Sequence, residues 1–155
     1  MPASATSGGR LIVAASADKL VMQASVVAIA GRALAIRGPA GSGKSSLALA
    51  LIDRGAQLIG DDAVTLNRDA RRIVASPPPN IAGLIEVHGV GLIEMPIGAA
   101  ARLSLILDIA APVERLPETI AQCDILGQNV PCLAFQPGSI APALRAELAL
   151  RKHGL

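Results

Sequence analysis

ALAIRGPAGSGKSSLALALIDRGAQLIGDD occupies residues 33 to 62, and its reading decides the fold. The β-type run ALAIR leads straight into GPAGSGKS, which fits G-x-x-x-x-G-K-[ST] at Gly38, Gly43, Lys44 and Ser45. Glycines at 38, 41 and 43 let the backbone turn so that its N–H groups converge on phosphate oxygens. Pro39, Ala40 and Ser42 complete the loop. Lys44 suits terminal phosphates, and the Ser45 hydroxyl suits a magnesium ion. SSLALALIDR (45 to 54) then spaces apolar residues as a helix does, with Gly55 as its stop. The positive end of that helix favours an anion.

QLIG (57 to 60) is a short strand ending at Asp61 and Asp62, 17 and 18 residues past Lys44. Carboxylates there have two uses: holding a metal ion, and taking a proton from an attacking hydroxyl. A polar turn after a buried strand is the bland alternative. An acid so close behind the loop suits transfer to a hydroxyl of a protein or small molecule.

Around this core, SVVAI (25 to 29) and ALAIR (33 to 37) form an expected hairpin through Ala30, Gly31 and Arg32. AVTL and RIVA, flanking Asn67 to Arg71, suggest a second. Pro77, Pro78 and Pro79 impose an extended bend. LIEVHGVGLIEM (84 to 95) is apolar with two interior glycines, and LSLILDI (103 to 109) is a core strand. Pro117 to Leu126 is expected to be helical, CLAF (132 to 135) a strand and Pro142 to His153 a closing helix. Strands alternate with helices only in part, so the fold class is α/β with antiparallel additions.

The 155 residues fit one domain. With 52% hydrophobic residues, no apolar run reaches the ~18 residues of a membrane span. LIVAASA (11 to 17) ends like a cleavage site but is too short for a signal peptide, and Asp18 and Lys19 follow it. Residues 1 to 18 are expected to be a flexible tail and 19 to 155 a single P-loop domain. A net charge of +2 and one aromatic residue, Phe135, disfavour nucleic acid as a partner. Cys123 and Cys132 lack metal-type spacing and read as buried thiols of a cytoplasmic protein. Arg145, Arg151 and Lys152 on the closing helix read as a solvated face or a docking surface.

GPAGSGKSSLALALIDRGAQLIGDDAV, LIEVHGVGLIEM, VERLPE and ILGQNVP, in that order, resemble the bacterial HPr kinase/phosphorylase family in its short form without the N-terminal domain. The resemblance implies an α/β, P-loop-containing core similar to the nucleotide-binding part of phosphoenolpyruvate carboxykinase. It implies ATP and Mg²⁺ as cofactors, HPr as phosphate acceptor and a homo-oligomer, often a hexamer. By position it assigns nucleotide to Lys44 and the 38–45 loop, and magnesium to Ser45, Asp61 and Glu86. Asp62 matches the acid/base aspartate and Arg115 the catalytic arginine.

The chain also departs from the family. Gln23 replaces a usual histidine, His88 a usual arginine, and Ser46 a frequent acid. FQPGS (135 to 139) lacks flanking arginines found in longer, bifunctional members. Kinase activity without the reverse phosphorolysis is therefore expected. A nucleotide-binding regulatory module with little catalysis, and a small-molecule kinase or ATPase, are the alternatives.

Overall fold

The computed structural model describes residues 12–15, 18–78 and 83–155. Residues 1–11, 16 and 17, within the expected tail, lie outside the described residues, as does Pro79. The described chain opens with β1 (Ile12–Ala15) and β2 (Lys19–Met22), which pair antiparallel. Part of the stretch expected to be tail is thus a strand, because IVAA and KLVM are two β-type runs close enough in sequence to pair.

The first expected hairpin is β3 (Ser25–Ile29) with β4 (Arg32–Arg37). Ala30 and Gly31 have φ of 50° and 80°, the two successive positive values that a tight hairpin turn requires. Helix α1 (Lys44–Asp53) follows the glycine-rich loop and ends before Gly55, at φ 110°. Then come β5 (Gln57–Gly60) and the second expected hairpin, β6 (Val64–Asp69) with β7 (Arg72–Ser76). LIEVHGVGLIEM folds back on itself as β8 (Leu84–Val87) and β9 (Gly91–Glu94), a separate two-stranded sheet. β10 (Ala101–Asp108) is buried almost throughout.

The helix expected over Pro117 to Leu126 does not form. That segment holds β11 (Ala121–Ile125), joined antiparallel to β12 (Gln128–Ala134). Cys123 and Ile125 are buried while Ala121, Gln122 and Asp124 are exposed, so burial follows the period of two of a strand. The expected closing helix is α2 (Pro142–His153).

The large sheet runs β1-β2-β6-β7-β10-β4-β3-β5. It forks at β10, whose Ala101 and Arg102 pair with β7 while Ile106 to Asp108 pair with β12, which carries β11 outside it. On its other side β10 lies parallel to β4 along the whole length of that strand.

Each face of this sheet carries its own core. Ala33 and Ala35 of β4 face a cluster with Leu20, Leu66 and Ile125. Leu34 and Ile36 face the helices, against Leu47, Leu51 and Leu150. On β10 the alternation breaks: Leu103 and Ile106 share the first face, Leu105 and Leu107 the second. A bulge between Leu103 and Leu105 inserts one residue, which flips the parity and lets every large side chain find a core.

Gly60 ends β5 immediately before the aspartates. A Cβ there would run into the carbonyl oxygen of Ala63, which is backbone and cannot swing away. Gly60→Ala should therefore destabilise the fold by about 1–3 kcal/mol, lowering Tm by roughly 5 °C in a calorimetric melt.

Candidate functional site

The glycine-rich loop leaves the end of the central strand β4 and turns on itself before α1 starts. Pro39 O accepts hydrogen bonds from Ser42 N at 3.1 Å and from Ser42 Oγ at 2.6 Å. Gly41 and Gly43 adopt φ of 78° and 103°, which only glycine reaches without strain. Gly43 caps α1, so Lys44 and Ser45 occupy the first turn of the helix, at the positive end of its dipole. Lys44 Nζ donates to Gly38 O at 2.8 Å and to Pro39 O at 3.2 Å. The ammonium thus rests on carbonyl oxygens of the loop it would leave to reach an anion.

Asp61 is the hub of the site. Its Oδ1 accepts from Ser45 Oγ at 2.7 Å and from Ser25 Oγ at 2.8 Å, and its Oδ2 accepts from the backbone N–H of Glu86 at 3.1 Å. One carboxylate thereby ties α1, β3 and β8 together. Asp62 follows with φ 70°, a left-handed conformation uncommon outside glycine and tolerated by aspartate. Such backbone strain is frequently held where chemistry needs a side chain aimed in one direction.

These groups line one cleft of ≈ 570 Å³. Gly41, Lys44, Ser45, Asp61, Asp62 and Glu86 are in its wall, together with Leu84, His88 and Leu92 from the β8–β9 hairpin. Asp62, Glu86, His88 and Leu92 are solvent-exposed, so the cleft opens outward.

The loop, Lys44, Ser45, Asp61, Asp62 and Glu86, all expected from sequence, are therefore brought together. Arg115 is not. It sits on the exposed loop between β10 and β11 and is not in the wall of this cleft. Gln23 is exposed between β2 and β3 and also lies outside that wall. Ser25 was not expected: it is fully buried and directs its hydroxyl at Asp61. Its only trace in the sequence is a polar residue heading the apolar run SVVAI.

The donor set here is oxygen alone: the Ser45 hydroxyl, the Asp61 carboxylate and the Glu86 carboxylate nearby. No cluster of three or more His, Cys, Asp or Glu able to hold a metal is found among the described residues. The all-oxygen donor set suits magnesium, which keeps several waters and uses one or two carboxylates together with substrate phosphates.

A family model described as the HPr Serine kinase C-terminal domain matches residues 14–136. The HPr kinase/phosphorylase of Clostridium tetani is 39% identical over 84 residues, 54% of this chain and 27% of that protein. Its counterpart from Acidovorax sp. is 36% identical over 128 residues, 74% of this chain and 40% of that protein. Among solved structures, the HPr(Ser) kinase/phosphatase of Coxiella burnetii superposes with a TM-score of 0.75 at 30% identity, covering 86% of this chain and 95% of that one. The chain spans between about a quarter and two-fifths of the length of these curated relatives. Its α/β architecture, its phosphate loop and the family model all agree: the chain belongs to the HPr kinase family and corresponds to its C-terminal domain.

Proposed function

We propose that this chain is an Mg·ATP-dependent kinase that phosphorylates a serine of HPr or an HPr-like phosphocarrier in the cytoplasm. The observation that carries the reading is the meeting of Lys44, Ser45, Asp61 and Asp62 around one outward-facing cleft. Backbone N–H groups of residues 38–45 would cradle the phosphates, and Lys44 would exchange its loop carbonyls for the terminal phosphate oxygens. Ser45 and Asp61, with Glu86 beyond, would hold magnesium. When bound, the ion neutralises charge on the β- and γ-phosphates.

Asp62 is the exposed carboxylate beside this group and takes the proton from the acceptor serine as the phosphoryl group transfers in line. A protein substrate fits a cleft this open, since the carrier itself would exclude water on docking. Arg115 would have to swing in with its loop to stabilise transferring charge.

Assembly into a homo-oligomer is part of the same proposal. Leu144, Leu148 and Leu155 are exposed at the C-terminal end of the chain, and Val90 and Leu92 on the β8–β9 hairpin. Phosphorolysis of phosphoserine is not included, because FQPGS lacks arginine at its flanks. Gln23 and Arg115, both exposed and neither in the wall of the cleft, favour a nucleotide sensor as the second reading.

The deciding experiment incubates the protein with Mg²⁺, γ-labelled ATP and HPr. Label on a carrier serine that disappears in Asp62→Asn is the expected result. ATP binding without transfer would replace the kinase with the sensor. Lys44→Ala should lower kcat by at least ~100-fold, comparable to losing one transition-state donor, with a smaller effect on nucleotide binding. Ser25→Ala removes a hydrogen bond that holds Asp61, so titration of activity with Mg²⁺ should show several-fold weaker apparent affinity, at a stability cost of about 1 kcal/mol.

A further inference from the structure

β4 ends in Arg37, one residue before the phosphate loop, and this arginine is buried, at 3% exposure. By the alternation along the strand it enters the core face opposite the helices, the face that also holds Cys123 and Cys132. Its Nε donates to Asp108 Oδ2 across a long 3.4 Å, while Asp108 Oδ1 is taken by the Ala110 N–H at 3.0 Å. Its Nη2 donates to Cys123 Sγ at 3.2 Å and to Cys132 Sγ at 3.3 Å. Its Nη1 is buried with no hydrogen-bond partner. A buried guanidinium needs close negative charge. One distant carboxylate supplies part of it, and the sulfurs are the other groups in reach.

Electrostatics divides the pair. The Cys123 thiol is lowered to about 6, chiefly by the hydrogen bond from Cys132 and then by the Arg37 charge. Cys132 is raised, first by its neighbour Cys123 and then by burial. Both directions, together with the place of Cys123 on the outer strand β11, favour Cys123 as the sulfur that ionises beside Arg37 and Cys132 as its donor. Structural cysteines in apolar surroundings are inert thiols; a cysteine beside a cation with access to reagents is a nucleophile. A second cavity, of ≈ 400 Å³, gives that access. Its wall includes Arg37, both cysteines and Asp108, with the exposed residues Thr119 and Gln122.

We propose that Cys123 and Cys132 form an oxidisable dithiol, a modification site open to small hydroperoxides, with Cys123 as attacking thiolate and Cys132 as resolving thiol. The Cys123 sulfur attacks the terminal hydroperoxide oxygen. An S–O bond forms as the O–O bond breaks, two electrons leave the sulfur, and the departing alkoxide or hydroxide is protonated by solvent. Cys132 then attacks the resulting sulfenic acid. The S–S bond forms, and the hydroxyl leaves with the Cys132 proton as water.

The fold allows this step at a stated strain. Cys123 lies opposite Val130, and Cys132 opposite Ala121, so the cysteines are diagonal across the β11–β12 ladder. Diagonal Cα atoms are ~7–8 Å apart, beyond the usual reach of a disulfide. β11 is an outer strand paired with β12 alone, so closing the bridge distorts that one ladder. The strained bond should be readily reduced.

The test needs neither nucleotide nor carrier. The full chain is exposed to hydrogen peroxide, unfolded, and its thiols and mass are measured. The wild type should lose two hydrogens and both thiols, and recover them with dithiothreitol. Cys132→Ser should stop at a sulfenic acid on residue 123, trapped by a dimedone probe, whereas Cys123→Ser should stay unlabelled. Wild-type thiols that survive peroxide sufficient to oxidise a free cysteine peptide would overturn the proposal, as would equal labelling of the two single variants. Iodoacetamide alkylation gives a second measure: Cys123 in the folded chain at neutral pH should react about two- to threefold faster than in the unfolded chain, its larger thiolate fraction being partly offset by lower nucleophilicity. Equal or slower reaction would overturn it too.

Discussion

The carboxylate of Asp61 accepts hydrogen bonds from a helix, a strand of the large sheet and a strand of the small one. A carboxylate has room for about four such bonds, and three are filled from within the protein. Those three bonds fix Asp61 against rotation and position α1 relative to β3 and β8. Ser25 contributes from a fully buried position, so part of the geometry of the cleft is set inside the core rather than at the surface. Asp62 inherits its place from this arrangement, because it is the next residue along a backbone already held.

Below the site, the forked sheet explains why the loop emerges where it does. β4 is flanked by β10 and β3, and the loop leaves its C-terminal end to enter α1. The bulge in β10 restores register between two cores that a regular strand would have mismatched. Ligands in open α/β sheets gather beyond the carboxyl ends of the strands, and this cleft follows that rule although antiparallel strands flank the parallel ones.

The phosphate loop, the two hairpins and the aspartate pair were legible in the sequence because each is written locally. A glycine pattern, a two-residue turn and a strand end are short-range signals. Pro117 to Leu126 was misleading for the same reason. Thr119 and Gln122 have the spacing of a helix-initiating box, while the alternation of Cys123 and Ile125 is too brief to outweigh it. Pairing with β12 decides that segment, and pairing is not local. Ser25 was hidden because a serine opening a strand looks ordinary until Asp61, 36 positions away, folds against it. Arg115 was carried by resemblance alone, and its exposed loop leaves it outside the cleft.

The parallel union of β4 with β10 also bears on the order of assembly. β3–β4, β6–β7, β8–β9 and β11–β12 each close within their own neighbourhood of the chain. Arg37 and Asp108, at the end of the β4–β10 seam, are 71 positions apart. Contacts of that range carry the larger loop-closure entropy and govern the folding rate. The hairpins therefore precede the seam, and the phosphate loop gains its rigid backing late in folding. A nascent chain would hold the complete glycine motif well before it had the cleft around it.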